Sequence, residues 1–132
     1  MIVLDTHIWI WWISNPENLS LHAATAIETA VKKSGIAISS ISTWEVALLV
    51  KKGRLNFLID VRDWVRKTEN LPFVQFTPVD NTIALRSMSI PGDFHPDPAD
   101  RIITATALTM GVPLVTKDEK ILNYPHVQTI WN

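Results

Sequence analysis

The chain has 132 residues and a mass of 14.9 kDa, a size that buries roughly two-thirds of the surface exposed by the unfolded chain, enough for one core and too little for two, so residues 1–132 are read as a single domain. Apolar residues make up 47% and charged residues 19%, which excludes intrinsic disorder, and the absence of cysteine excludes a disulfide framework and thiolate-bound zinc. With 12 basic and 13 acidic side chains the net charge is −1, which excludes a globally basic nucleic-acid binder but leaves room for a local basic patch.

Ile2-Val3-Leu4 is a short apolar run ending at Asp5, the pattern of a buried strand. The apolar stretch from Met1 to Ile13 is not a signal peptide, because Asp5 interrupts it and no Lys or Arg precedes it. No segment approaches the ~18 uncharged apolar residues of a membrane span, so a soluble, cytoplasmic protein without membrane association is expected. Asn15-Pro16 marks a turn. Leu21 to Lys33 reads as a helix with Ser20 as its cap and Gly35 as its stop, and Ile36-Ala37-Ile38 as a second strand.

Ser39 to Lys52 reads as a second long helix. Asn56 to Thr68 reads as a third, because Phe57, Val61, Trp64 and Val65 share one stripe opposite Arg62, Asp63, Arg66 and Lys67. Phe73 to Phe76 is a strand, Asp80 caps a short helix running through Met88, and Pro91 to Pro98 is a loop. Asp97-Pro98 starts a helix that runs to Met110 and ends at Gly111. Val112 to Val115 is a strand, Lys117 to Leu122 a short helix and Val127 to Ile130 a last strand. Short continuous apolar strands alternating with helices predict an α/β fold: a three-layer α/β/α sandwich around a mostly parallel central sheet.

In such a sheet, strand C-termini and helix N-termini meet along one edge, where ligands bind. Asp5 ends the first strand, Glu45 lies early in the helix after the second, Asp100 lies in the first turn after Pro98, and Asp118 follows the strand ending at Val115. Each has a structural explanation too. Asp97 and Asp100 are spaced as a capping box, Ser42-Thr43-Trp44-Glu45 matches S-x-x-E directly, and the helix dipole favours Asp118 in a first turn. Asp5 is the hardest to explain away, since a carboxylate ending an apolar strand is costly unless partnered. Converging like charges persist if some are protonated or if a cation joins them, and all-oxygen ligands point to Mg²⁺, with Mn²⁺ as the alternative. Such an ion polarises phosphate oxygens and activates water. Setting the four acids aside leaves 12 basic against 9 acidic side chains, a mildly basic remainder that Lys32, Lys33, Lys51, Lys52, Arg54, Arg62, Arg66 and Lys67 could present to a phosphate backbone.

At these residues the sequence resembles a PIN domain and, within that class, the VapC-type toxins of type II toxin–antitoxin systems. The resemblance is carried by Leu4-Asp5-Thr6-His7, by Ser42-Thr43-Trp44-Glu45-Val46, by the segment from His95 to Ala107 (HPDPADRIITATA) and by Leu114-Val115-Thr116-Lys117-Asp118, in order over essentially the whole chain. It implies a metal-dependent endoribonuclease whose catalytic acids are Asp5, Glu45, Asp100 and Asp118. Asp5, Asp100 and Asp118 would hold one or two Mg²⁺ ions while Glu45 completes the set or orients the attacking water, leaving 5′-phosphate and 3′-hydroxyl ends. Thr6 and Thr116 match hydroxyl positions beside the metal, and Asp97 matches a position acidic in this subgroup that reads better as a helix cap. The resemblance also implies an RNA substrate, a VapB-like antitoxin and a toxin homodimer.

Six tryptophans are many for this length, and Trp9, Trp11 and Trp12 cannot all face one small core. One or two of them are expected to line an apolar groove for an antitoxin helix or a dimer contact. His7, His22, His95 and His126 are scattered; His7 is more often a packing residue than a ligand at such a place, and His95, near Asp97, could touch RNA. Arg101 could pair with an acid or bind phosphate. A haloacid-dehalogenase-like phosphatase also uses an Asp at the end of its first strand, with Lys117 available as its lysine, but wants a second Asp two residues later, where His7 stands. A non-enzymatic RNA- or protein-binding module is the other alternative, against which the presence of all four acids argues. The four glycines, at 35, 53, 92 and 111, permit neither a dinucleotide fingerprint nor a P-loop.

Overall fold

The computed structural model describes residues 1–94 and 96–132. Five strands, β1 (Ile2–Leu4), β2 (Ile36–Ser39), β3 (Val74–Thr77), β4 (Leu114–Val115) and β5 (Thr129–Ile130), form one sheet in the order β3-β2-β1-β4-β5. Every pairing is parallel, with Ile2 opposite Ile36, Val3 opposite Leu114 and Leu4 opposite Val115. Among the described residues the seven α-helices are α1 (Thr6–Ser14), α2 (Leu21–Lys33), α3 (Ser40–Lys51), α4 (Val61–Glu69), α5 (Asn81–Met88), α6 (Pro98–Met110) and α7 (Glu119–Leu122), with a 3-10 turn at Pro16–Asn18.

Side chains of successive strand residues point to opposite faces, which divides the core in two. Ile2, Leu4, Ile36, Ile38 and Val115 pack with Ile8 and Trp9 of α1, Ala23, Ile27 and Ala30 of α2, Val46 of α3 and Trp64 of α4. Val3, Ala37 and Leu114 pack on the other face with Ile103 and Ala107 of α6 and Ile121 of α7. A third cluster joins Ile83 of α5 to Ala105 on the back of α6. Both faces of the sheet are covered, which is why its central strands read as unbroken apolar runs. The expected three-layer α/β/α sandwich is the fold, with an all-parallel sheet.

Each of the seven α-helices starts on an Asp or Ser whose side chain accepts a backbone N–H: Asp5, Ser20, Ser39, Asp60, Asp80, Asp97 and Asp118. Asp60 explains one correction. The helix expected from Asn56 begins at Val61, because Asp60 accepts from the Arg62 N–H at 2.8 Å and stops the helix extending backwards. Phe57 satisfies the apolar stripe from outside the helix, stacking on Trp64 with ring centroids 4.2 Å apart. The last two strands are shorter than expected: Pro113 lacks an N–H, although its carbonyl accepts from Val3 N–H at 2.9 Å, and the register of β4 with β5 sets Leu114 opposite Thr129 and Val115 opposite Ile130.

Candidate active site

The strand order turns back at β1, where β2 lies on one side and β4, much later in sequence, on the other. Ligands of parallel α/β sheets bind at such a switch point, beyond the strand C-termini. Asp5 leaves β1 there, and Thr116, Lys117 and Asp118 leave β4 beside it. The N-termini of α3 and α6 bring Glu45 and Asp100 to the same edge, and Asp5, Glu45, Asp97, Asp100 and Asp118 together line one cleft of about 460 Å³ with Thr6, His7, Trp11 and Lys117. Four carboxylates distant in sequence therefore gather in one place.

Asp5 is buried, and both of its oxygens are engaged. Oδ1 accepts from the Thr6 N–H at 2.8 Å and Oδ2 from the Thr116 hydroxyl at 2.7 Å. Burial raises its proton affinity above the ordinary carboxylate range, while those two hydrogen bonds and His7 pull it back. Thr6 Oγ1 donates to Glu45 Oε1 at 2.5 Å and lies 2.8 Å from Ser42 Oγ, so the first and third helices are tied together through three polar side chains. Burial raises the Glu45 proton affinity as well, partly offset by the Thr6 hydroxyl. Asp100 is strongly perturbed as well. Burial first, and then the charges of Asp5, Asp97, Asp118 and Glu45, push its pKa up to about 8.

Like charges held together in this way are relieved by a retained proton, as at Asp100, or by a cation. The donors are all oxygens, with no thiolate and no histidine in the buried set, which suits a hard divalent ion such as Mg²⁺. Each Asp5 oxygen accepts a hydrogen bond, and a carboxylate oxygen has capacity for a second partner. Among the described residues no group of three acidic or histidine side chains is tight enough to hold a metal by direct contact alone. Mg²⁺ commonly keeps several waters between itself and carboxylates, and a ring of acids around an open cleft fits that habit.

The structural roles expected for these residues are divided differently from the sequence reading. Asp97 is the N-cap of α6, accepting from the Asp100 N–H at 3.0 Å. Ser42 and Glu45 form no capping box, because α3 already starts at Ser40 with Ser39 as its cap, and Ser42 is buried inside the helix beside Thr6. Asp118 is the N-cap of α7, accepting from the Lys120 N–H at 2.8 Å, as well as a wall of the cleft. Arg101 pairs with no acid among the described residues; its guanidinium donates to the carbonyls of Ser87 and Phe94 at 3.1 and 3.2 Å. His95 lies outside the described residues.

The tryptophan expectation needs one correction. Trp9 is wholly buried, packs on Trp64 and Phe76, and donates its indole N–H to Thr68 at 3.0 Å, so it is core and not a partner contact. Trp11 and Trp12 are half-buried; Trp11 lines the acidic cleft and Trp12 a separate groove with Leu19, Ile27, Val31 and Phe73. The sequence reading passed over Trp44, which is 59% exposed and lines an apolar groove with Ile41, Leu48 and Pro98 that also touches Glu45 and Asp97. A signal was available: an aromatic residue immediately before a cleft carboxylate on a helix. Ser42, buried against Thr6 behind the cleft, was passed over too, and Lys117, which lines the cleft, was read only as the lysine of the phosphatase alternative.

Comparison with known proteins follows the same line. The family model described as "PIN domain" matches residues 2–127. The sequence is 36% identical over 133 residues to ribonuclease VapC22 of Mycobacterium tuberculosis, covering 98% of each chain. Among solved structures, VapBC2 from Rickettsia felis bound to a promoter DNA fragment superposes with a TM-score of 0.71 at 20% identity over the whole of both chains, a likeness of fold. A toxin–antitoxin complex from Klebsiella pneumoniae gives 0.66 at 25% identity, covering 96% of this chain and 95% of that one. With matched sequence, matched fold and the acidic cleft at the switch point, the chain belongs to the PIN-domain family and to its VapC-type members.

Proposed function

We propose that the protein is a Mg²⁺-dependent endoribonuclease and the toxin of a toxin–antitoxin pair, with a VapB-like protein as its antitoxin. The observation that carries this reading is the crowding of Asp5, Glu45, Asp100 and Asp118 around one cleft, where burial first and then the acidic neighbours hold the Asp100 pKa at about 8. Its similarity to a ribonuclease and to chains solved in toxin–antitoxin complexes supports the substrate and partner.

Asp5, Asp100 and Asp118 are the residues that would hold the metal, which when bound supplies charge neutralisation at a phosphate and an activated water for in-line attack. Thr116 aims Asp5 through its hydroxyl, and Thr6 fixes Glu45. Glu45, so fixed, orients the attacking water. Asp97 holds the start of α6 and thereby the place of Asp100. A homodimer is part of the proposal on family grounds, and Trp12, with its groove, is the tryptophan offered for partner contact.

Incubation of the purified protein with labelled RNA and Mg²⁺ tests the reading. Cleavage is expected, lost in chelator and in Asp5→Asn and Asp100→Asn, with no turnover of a small phosphate ester. Undiminished cleavage by either variant would overturn the assignment. Metal binding by calorimetry without cleavage would favour a non-enzymatic binding module.

A further inference from the structure

Three neighbouring strands, β1, β4 and β5, each lead into one member of a second cluster, two of whose members line the cleft. Trp11 lies on α1, which follows β1; Lys117 follows β4; Trp131 follows β5. The β4–β5 pairing sets Val115 opposite Ile130 and extends one step further, with Thr116 N–H donating to the Ile130 carbonyl at 3.2 Å. Lys117 and Trp131 therefore emerge side by side. The Lys117 ammonium sits 5.7 Å from the ring centroid of Trp11 and 5.7 Å from that of Trp131, and the two indoles are 6.2 Å apart. Trp131 is itself anchored, because the Ser20 hydroxyl that caps α2 also donates to its carbonyl.

This arrangement runs against simple electrostatics. Lys117 lines a cleft that also holds Asp5, Glu45, Asp97, Asp100 and Asp118, and a loose ammonium there would fold onto a carboxylate. Among the described residues it forms no ion pair; the pair that does form is Lys32 with Glu28. The two indole faces attract the ammonium and hold it off the acids, and the side chain remains exposed. A cation kept at the mouth of an anionic cleft, unpaired and open to solvent, suits an anionic ligand that must approach those acids.

We propose that Lys117, held between Trp11 and Trp131, binds a backbone phosphate of the RNA strand next to the one that is cut, and that the two tryptophans are positioning residues acting through the lysine. The inference rests on the ribonuclease reading above. It gives the chain, whose overall charge is −1, a local positive contact at the cleft itself.

The test is equilibrium binding of a fluorescently labelled, mixed-sequence single-stranded RNA oligonucleotide in Mg²⁺, followed by anisotropy at several salt concentrations. All proteins carry Asp100→Asn, so that the RNA is bound and not consumed. Lys117→Gln is expected to weaken binding by about tenfold and to lower the slope of log affinity against log salt by about 0.7, the share of one single-strand phosphate. Lys117→Arg is expected to keep the slope. Trp131→Leu is expected to weaken binding when Lys117 is present and to add nothing in the Lys117→Gln protein, a dependence that a merely structural tryptophan would not show. Lys117 is exposed, so its variants should melt as the parent does. Unchanged affinity and slope in Lys117→Gln would overturn the proposal, as would a Trp131→Leu loss of equal size in both backgrounds, which would mean that the indole stacks on RNA directly. If the parent binds no RNA, the ribonuclease reading falls with it. If RNA is bound, and is cut when Asp100 is intact, a null result at Lys117 removes this proposal alone.

Discussion

The Thr116 hydroxyl donates to Asp5 Oδ2 at 2.7 Å and accepts the Asp118 N–H at 3.0 Å. One buried side chain thus ties the end of β1 to the start of α7 across the point where the strand order reverses. Its geometry holds two of the cleft carboxylates in a fixed relation before any ligand arrives.

Replacing that hydroxyl should be felt twice. Thr116→Val leaves a buried Asp5 oxygen and the Asp118 N–H without this partner, and is expected to lower unfolding stability by about 1–3 kcal/mol in urea titrations. It should also weaken Mg²⁺ binding by about 10–100-fold, the usual effect of removing a group that orients a metal-holding side chain. Thr116→Ser keeps the hydroxyl and should stay close to the parent on both measures. Calorimetric Mg²⁺ affinities equal in the Val and Ser variants would contradict the orienting role.

Asp100 predicts the pH dependence of the metal-free protein. Its pKa rises from an ordinary 3.8 to about 8 in the folded chain. Below about pH 4 the carboxyl is protonated in both folded and unfolded chains and carries no penalty. Between about 4 and 8 the folded chain retains a proton that the unfolded chain releases, so stability is lost as pH rises through that window. In chelator, melting temperatures should therefore fall from pH 5 to pH 8, Asp100→Asn should flatten the decline, and it should be neutral or stabilising at pH 8. Added Mg²⁺ should restore stability to the parent and less so to the variant. A parent melting temperature independent of pH in chelator would refute the electrostatic account.

Asp97 separates capping from charge. Because its side chain accepts the Asp100 N–H, Asp97→Ala should cost about 1 kcal/mol, within the 0.5–2 range for a lost cap, whereas Asp97→Asn should cost almost nothing. Asp97 is also among the charges that raise the Asp100 pKa, so Asp97→Asn should lower it. Urea titrations and a carboxyl titration followed by NMR read the two effects separately.

Two tryptophans should behave oppositely. Trp9 is fully buried and hydrogen-bonded, and Trp9→Ala should cost about 3–5 kcal/mol. Trp44 is largely exposed, and Trp44→Ala should change stability by less than about 0.5 kcal/mol. Near-ultraviolet circular dichroism should lose its main tryptophan signal in the first variant and keep it in the second.

Much of this was legible along the chain. Ile2-Val3-Leu4 and Ile36-Ala37-Ile38 announce central strands because both sides of each are covered, and Ser20, Asp80 and Asp97 mark helix starts because their oxygens can take an orphan N–H, whereas the cap that Asp5 gives α1 was not read. The acids were legible at the level of an edge, since parallel strands must end where the following helices begin. The tryptophans of α1 were not. Successive helical residues turn by about 100°, so Trp9 and Trp11 face different ways, but Ile8 to Ile13 is apolar all round and carries no phase. The start of α4 was missed because Phe57 keeps the helical spacing while reaching Trp64 from outside the helix.

Periodicity and caps, which are local properties of a chain, were therefore enough for most of the element order, the sheet direction and the edge at which Asp5, Glu45, Asp100 and Asp118 assemble. Which hydroxyl faces which carboxylate, how far Asp100 is pushed from its ordinary proton affinity, and the place of Lys117 between Trp11 and Trp131 came from the folded chain alone. Those depend on distances between segments up to 120 residues apart, and such distances exist only once the sheet has brought β1, β4 and β5 together.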